Sequence, residues 1–247
     1  MSTTANWVRY WTQRYEDDAG QQQLDAAARD PFGRWLVADI GVLTDEDVDI
    51  DLGTIRQHPD QLLADAREAF ETLVTTEEIE GASADGYDQL PVHLVGLPPQ
   101  VRDESFRLTD PLVEFNVLTS IPSAGIEGTP TVVPQAAVAV YTCPAGHETT
   151  ARQPVYKSEP LSACGEPQCT NEVHADATGT RVRKTIRFEV LVDGSLLPCV
   201  ATGMYADSRA ELITEGDRVR MLGIVRPCVM PTLAVEPRFE VLSVGPA

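Results

Sequence analysis

The sequence predicts an α+β protein: a small helical N-terminal domain, then short antiparallel strands forming a barrel or sandwich, with a metal-binding segment inserted among them. Three observations carry this reading. Helical periodicity is confined to the first 80 or so residues, seven β-prone runs separated by Gly and Pro follow from residue 91, and three of the five cysteines gather with one histidine between Cys143 and Cys169.

Ser2, Thr3 and Thr4 offer N-caps for a first helix in which Trp7, Trp11 and Tyr15 recur at four-residue spacing, an apolar stripe suited to a core. A second helix starts near "HPDQLL", with Pro59 in its first turn, and continues through Leu62, Leu63, Ala66, Ala69, Phe70 and Leu73. The acid-rich run "LTDEDVDIDLGTI" between them reads as a solvated loop or short edge element, without the regular spacing of a calcium loop. Residues 1–80 therefore form the helical domain, and "EEIEGASADGYDQLP" reads as a linker. The strands follow: "PVHLVGL", "PLVEFNVLTSI", "TVVPQAAVAVYT", "TRVRKTIRFEVLV", "LLPCVATGMY", "GDRVRMLGIVRP" and "LAVEPRFEVLSV". Their lengths and turn signals favour antiparallel over parallel pairing. The barrel is expected to run over 91–142 and 176–247, with the metal segment inserted at 143–175.

Composition bounds the setting. The chain has 247 residues, a net charge of -19, and only two lysines, Lys157 and Lys184, among 19 basic residues. An acidic, lysine-poor yet foldable sequence points to a halophilic cell interior, where the screening length falls to roughly 3 Å at 1 M salt. Net acidity then does not exclude a nucleic-acid partner, since repulsion is screened. Residues 1–100 hold 20 acids against six bases, so the later part is where a polyanion is better tolerated. The start of the chain lacks a basic, apolar leader and no long apolar run occurs, so the expected location is cytoplasmic, with no membrane partner.

Cys143, His147, Cys164 and Cys169 form a Cys-x3-His pair and a Cys-x4-Cys pair, and Pro144, Gly146, Gly165 and Pro167 supply turns within and beside them. Two donor pairs on tight turns, brought together by folding, are how structural Zn2+ is held; His174 is the substitute for His147. "CPAGH" is similar to the common knuckle "CPxCGH" with the second cysteine lost. Four protein ligands leave no position for water, which makes the metal a scaffold element. A deaminase centre needs three ligands and His-x-Glu, whereas Glu148 directly follows His147. No Gly-x4-Gly-Lys-Ser/Thr loop and no Gly-x-Ser-x-Gly elbow occur, so an enzyme is not expected. Cys199 and Cys228 read as small buried hydrophobes.

In "TRVRKTIRFEV", alternation puts Arg181, Arg183, Thr185 and Arg187 on one strand face and Val182, Ile186, Phe188 and Val190 on the other, with Lys184 breaking the pattern. This is either a phosphate-contacting face or a solvated face balanced by nearby acids. Arg218, Arg220 and Arg226 repeat the pattern in "GDRVRMLGIVRP".

The helical start, "VHLVGLPP", a zinc module entered through "AAVAVYTC", and "ITEGDRVRMLGIVRP" together resemble the N-terminal region of archaeal minichromosome maintenance (MCM) replicative helicases. The resemblance implies a helical bundle, a zinc ribbon with Cys143, His147, Cys164 and Cys169 as ligands, and an oligonucleotide-binding (OB) barrel. It also implies ring formation and DNA bound in a central channel; taken with the basic strands, the expectation is a homo-oligomer or association with a replicative helicase, and DNA, preferably single-stranded, bound through Arg181, Arg183, Lys184, Arg187 and Arg226. Basic residues usual after the first barrel strand and in the channel hairpin are replaced here by "VLTSIPS" and "DGSLLPCVATG". Those losses keep open a second reading, an adaptor or regulator of the replication machinery with little DNA binding; a replication protein A-type single-strand-binding protein is a third. The ATPase domain of the family has no counterpart before Ala247, so either a fragment or a stand-alone relative unable to unwind DNA is expected.

Overall fold

The computed structural model describes residues 3–45, 48, 50–96, 115–207, 213–230 and 232–247. The cap residue Ser2 and the strand run 111–114 lie outside them. Helices α1 (Thr3–Tyr15), α2 (Asp18–Arg29), α3 (Ile40–Leu43), α4 (Leu52–Gln57) and α5 (Pro59–Thr76) form the N-terminal part with one short strand, β1 (Leu36–Asp39). Aromatic side chains knit it together. Trp7 and Trp11 stack at 5.4 Å, Trp11 meets Phe70 edge-on at 6.3 Å, and Phe70 meets Tyr87 at 5.8 Å. Each buried polar tip with a partner also fastens an element: the Trp11 indole donates to Ala66 O of α5 at 2.9 Å, and the Tyr10 hydroxyl accepts from Asp39 N of β1 at 2.9 Å.

Two expectations change here. The acid-rich run is anchored, because Val48, Ile50 and Ile55 are buried in the helical core and Asp51 caps α4 by accepting from Thr54 N at 2.8 Å. The linker is also packed: Ile79 and Tyr87 are buried, and the Tyr87 hydroxyl donates to Ser83 O at 2.8 Å. Beyond it, β2 (Val92–Val95), read from sequence as a barrel strand, pairs in parallel with β1, Leu36 opposite Val92. Strands of four residues carry too little pattern to reveal their partner.

The second part contains β3 (Leu118–Thr142), β4 (Glu148–Arg152), β5 (His174–Val192), β6 (Ser195–Thr202), a one-turn helix α6 (Met204–Asp207), β7 (Arg218–Val229) and β8 (Val235–Pro246). Strands order as β4-β3-β5-β6-β8-β7, and β7 pairs back onto the first residues of β3, so the sheet closes on itself. All pairings in it are antiparallel except β6 with β8. Closure removes exposed edges from the barrel strands. The barrel is filled by residues such as Ile126, Phe188, Val190, Met221 and Phe239. Leu222, Ile224 and Leu242 instead enter the helical core with Leu118. Strands β7 and β8 are thus buried on both faces, which explains the nearly unbroken apolar run "MLGIV".

Two glycines are dictated by geometry. Asp193 (φ 49°) and Gly194 (φ 80°) both have positive φ in the two-residue β5–β6 turn, matching the twist of the flanking strands. Gly223 sits at the register shift between β7 and β8, where a Cβ would lie 2.2 Å from Glu240 O and 2.7 Å from Phe239 Cε1. Gly223→Ala is therefore expected to lower stability by about 1–3 kcal/mol through overpacking, read as a lower urea midpoint at unchanged m-value.

Candidate metal centre and cationic strand

The last residues of β3 continue past the barrel and pair on one side with β4 and on the other with the first residues of β5. Between β3 and β4, "CPAGH" closes as a tight turn: Gly146 (φ 82°) donates to Cys143 O at 2.9 Å, and Cys143 N donates to His147 O at 3.1 Å. The second pair is shaped the same way, with Cys169 N donating to Glu166 O at 2.9 Å and Cys164 N to Asn171 O at 3.1 Å. Gly165 N reaches across to Thr149 Oγ1 of β4 at 3.1 Å and ties the two turns together.

Folding brings the donor atoms of Cys143, His147, Cys164 and Cys169 within 4.8 Å of one another. Cys143 Sγ lies 3.8 Å from Cys169 Sγ, and Cys164 Sγ 3.7 Å from His147 Nδ1. A tetrahedron with metal–sulfur and metal–nitrogen bonds near 2.3 and 2.05 Å requires edges of about 3.8 and 3.6 Å, so this donor set is compatible with a metal such as zinc. His174 is not part of the cluster. The thiols share charge unevenly. Desolvation pushes Cys143 up, but the backbone N–H groups of His147 and Ala145 and the neighbouring thiols outweigh it and bring it down to about 7. At Cys169 the Asn171 N–H lowers the pKa, while desolvation and the other two thiols raise it above the ordinary value. By contrast, burial pushes the Cys199 thiol well up, aided by Glu189, as suits an inert core thiol.

The cationic residues separate into two groups. Arg181, Lys184 and Arg187 are exposed. The Arg181 guanidinium lies 5.7 Å from the Phe32 ring centroid, Lys184 Nζ pairs with Asp207 at 2.6 Å, and Arg187 forms no ion pair among the described residues. Alternation along β5 is kept, but the middle of the arginine face is covered, and Arg183 is 7% exposed with its guanidinium donating to Gln153 O. Arg226 is 5% exposed; it donates to Glu240 at 2.7 Å and to both carboxylate oxygens of Asp60 at 2.5 and 2.7 Å. Burial pulls its pKa down, yet these carboxylates hold it above the ordinary arginine value. Arg183 and Arg226 therefore face the interior between the helical part and the barrel, out of reach of the phosphates of a DNA strand laid on the outer surface of β5.

Reasoning from sequence missed Arg67, Arg152, Asp60 and Glu240, which meet Arg183 and Arg226 in this interior. Arg67 carried a signal, since it stands four residues after Leu63 on the buried side of α5.

No family model matches the sequence, and no curated protein matches it. The fold is similar to that in a 1.8 Å crystal structure of the N-terminal domain of an archaeal MCM, with 13% identity, a TM-score of 0.67 and 98% of each chain covered. No helix among the described residues is long and apolar enough to cross a membrane. The resemblance drawn from short motifs holds at the level of fold over nearly every residue: the chain has the architecture of the N-terminal domain of an archaeal MCM.

Proposed function

We propose that this chain is a non-catalytic DNA-binding module of DNA replication, in which structural zinc on Cys143, His147, Cys164 and Cys169 braces a ribbon standing on an OB-type barrel. The observation that carries the DNA reading is exposed Arg181 and Arg187, six residue steps apart on one face of the strand leading from the ribbon into the barrel, with exposed Lys184 on the other face between them. These six residue steps extend over about 20 Å, a length on which a single strand can lay several phosphates. Single-stranded DNA is the preferred ligand, and self-association or docking on a replicative helicase fits the same fold. Four protein ligands complete the zinc sphere, so no reacting water has a place on the metal.

Fluorescence anisotropy with single-stranded and duplex oligonucleotides across salt concentrations tests this. Arg181→Ala/Lys184→Ala/Arg187→Ala is expected to weaken single-strand binding at least tenfold and to make the slope of log K against log salt shallower by about 2. Absence of binding by the folded natural chain at moderate salt would overturn the reading. That result would favour the adaptor reading, which the β5–β6 hairpin supports: Leu191 and Leu196, 40% and 53% exposed, flank its turn, and an apolar tip suits a protein partner.

A further inference from the structure

A cavity of about 310 Å³ lies between α5, the segment before β2, residues 152–156 and the barrel wall. Four arginines line it: Arg67, Arg152, Arg183 and Arg226. Two are matched, Arg226 by Asp60 and Glu240 and Arg152 by Asp88 at 2.7 Å. The other two have only neutral partners, Arg67 Nε donating to Leu90 O at 2.7 Å and Arg183 to Gln153 O. Neither forms an ion pair among the described residues, and the buried Arg183 Nε has no hydrogen-bond partner. Desolvation lowers both guanidinium pKa values, Arg183 to about 10 with Glu240 raising it and Arg67 lowering it, and the two arginines repel across the cavity. Buried cations in proteins are normally matched by an anion, yet Asp60, Asp88 and Glu240, the carboxylates on this lining, are ion-paired to Arg226 and Arg152 and act on Arg67 and Arg183 only through space, which leaves four arginines against three carboxylates.

We propose that the cavity is a binding site for a phosphate-class oxyanion, held between Arg67 and Arg183 with Arg152 at its mouth. Guanidinium forks pair bidentately with phosphate oxygens. A tetrahedral oxyanion presents oxygens to two walls at once, which a planar carboxylate does less well. The entrance is open, since the side chains of Arg152 and Asp60 are 71% and 62% exposed. The segment 152–156 that roofs the site leaves the metal hairpin directly, and buried Gln153 holds it: its backbone N–H donates to Ala137 O, and its amide group bonds to both the N–H and C=O of Glu159. The site is separate from the exposed DNA trio and stands whether or not the chain binds DNA.

The test is thermal unfolding of the full chain with inorganic phosphate or a nucleoside 5′-monophosphate, against acetate and chloride at equal ionic strength. Phosphate at about ten times its Kd is expected to raise Tm by about 3–6 °C, with acetate and chloride inert. A tighter response to the monophosphate identifies a nucleotide as the source, and a response to inorganic phosphate alone identifies the free ion. Arg183→Gln and Arg67→Gln are expected to abolish the shift. Arg152→Gln, at an exposed position that does not threaten folding, is expected to weaken affinity several-fold by isothermal titration calorimetry, from a stoichiometry of one in the natural chain. Equal shifts with all four anions, or a phosphate response unchanged in Arg152→Gln and in whichever interior variant folds, would mean an adventitious ion only and overturn the proposal.

Discussion

Stripping zinc from the purified protein with a strong chelator is expected to unfold residues 143–173 while the barrel stays folded. This segment has almost no core of its own: Ala139, Tyr141, Cys143 and Val173 are its buried side chains, backed by partly buried neighbours such as Leu161. At about 1.5–3 kcal/mol for each large buried side chain, such a cluster cannot offset the entropy of ordering some thirty residues at 1–2 kcal/mol each. Structural zinc in small modules contributes an apparent 10–16 kcal/mol at neutral pH, more than this small apolar cluster can supply. Without the cation, the thiols also face the repulsion already visible in the raised pKa of Cys169. Hydrogen exchange should therefore show loss of nearly all protection in peptides from 143–173, with β6, β7 and β8 unchanged. Cys164→Ser should reproduce the pattern and release the metal. A zinc-to-protein ratio well below one in native protein, or undiminished protection after chelation, would remove zinc from the account.

What the sequence reveals depends on how local the determining interactions are. The Cys143, His147, Cys164 and Cys169 cluster is legible because each donor pair is defined by its own tight turn, and only the meeting of the two turns needs the fold. Helix α5 and strands β5, β7 and β8 are legible because their periodicity persists over a dozen residues or more, whereas β3 is read as two runs because "PSAGIEGTP" within it carries turn residues. The β1–β2 pairing has no such persistence. Alternation in β5 correctly separates Arg183 from Val182, yet it says nothing of what covers a face; Arg183 is enclosed by a segment thirty residues earlier and Val182 is left 56% exposed. The polar cavity is the least legible feature, because Asp60, Asp88, Arg152, Arg183 and Glu240 come from five separate elements. A charged residue on a buried helical face, as at Arg67, is the one trace such a site leaves in sequence.

Replacing Arg226 by alanine is expected to cost about 3 kcal/mol of stability and to leave DNA affinity unchanged. The guanidinium joins the first turn of α5, through Asp60, to β8, through Glu240, and also donates to Asn116 Oδ1 at 3.1 Å. It further lies 5.2 Å from the Tyr156 ring centroid, adding a cation–π contact. Removal leaves Glu240, whose side chain is only 16% exposed, as a buried carboxylate without its hydrogen-bonded cation, and one-sided breaks of this kind cost about 3–5 kcal/mol. The lower end applies because Asp60 is largely solvated and loses little. At this chain length the change corresponds to a fall in Tm of about 6–12 °C. Arg218→Ala, removing an exposed side chain bonded to Ser123 Oγ, should stay within about 0.5 kcal/mol. Arg226→Met/Glu240→Gln should recover much of the loss, because the destabilisation stems from the stranded carboxylate more than from the lost attraction. Urea unfolding paired with anisotropy separates the two roles of this residue. A stable Arg226→Ala chain with weakened DNA binding would return Arg226 to the nucleic-acid face, whereas an unstable chain with intact affinity makes it the clasp between helices and barrel.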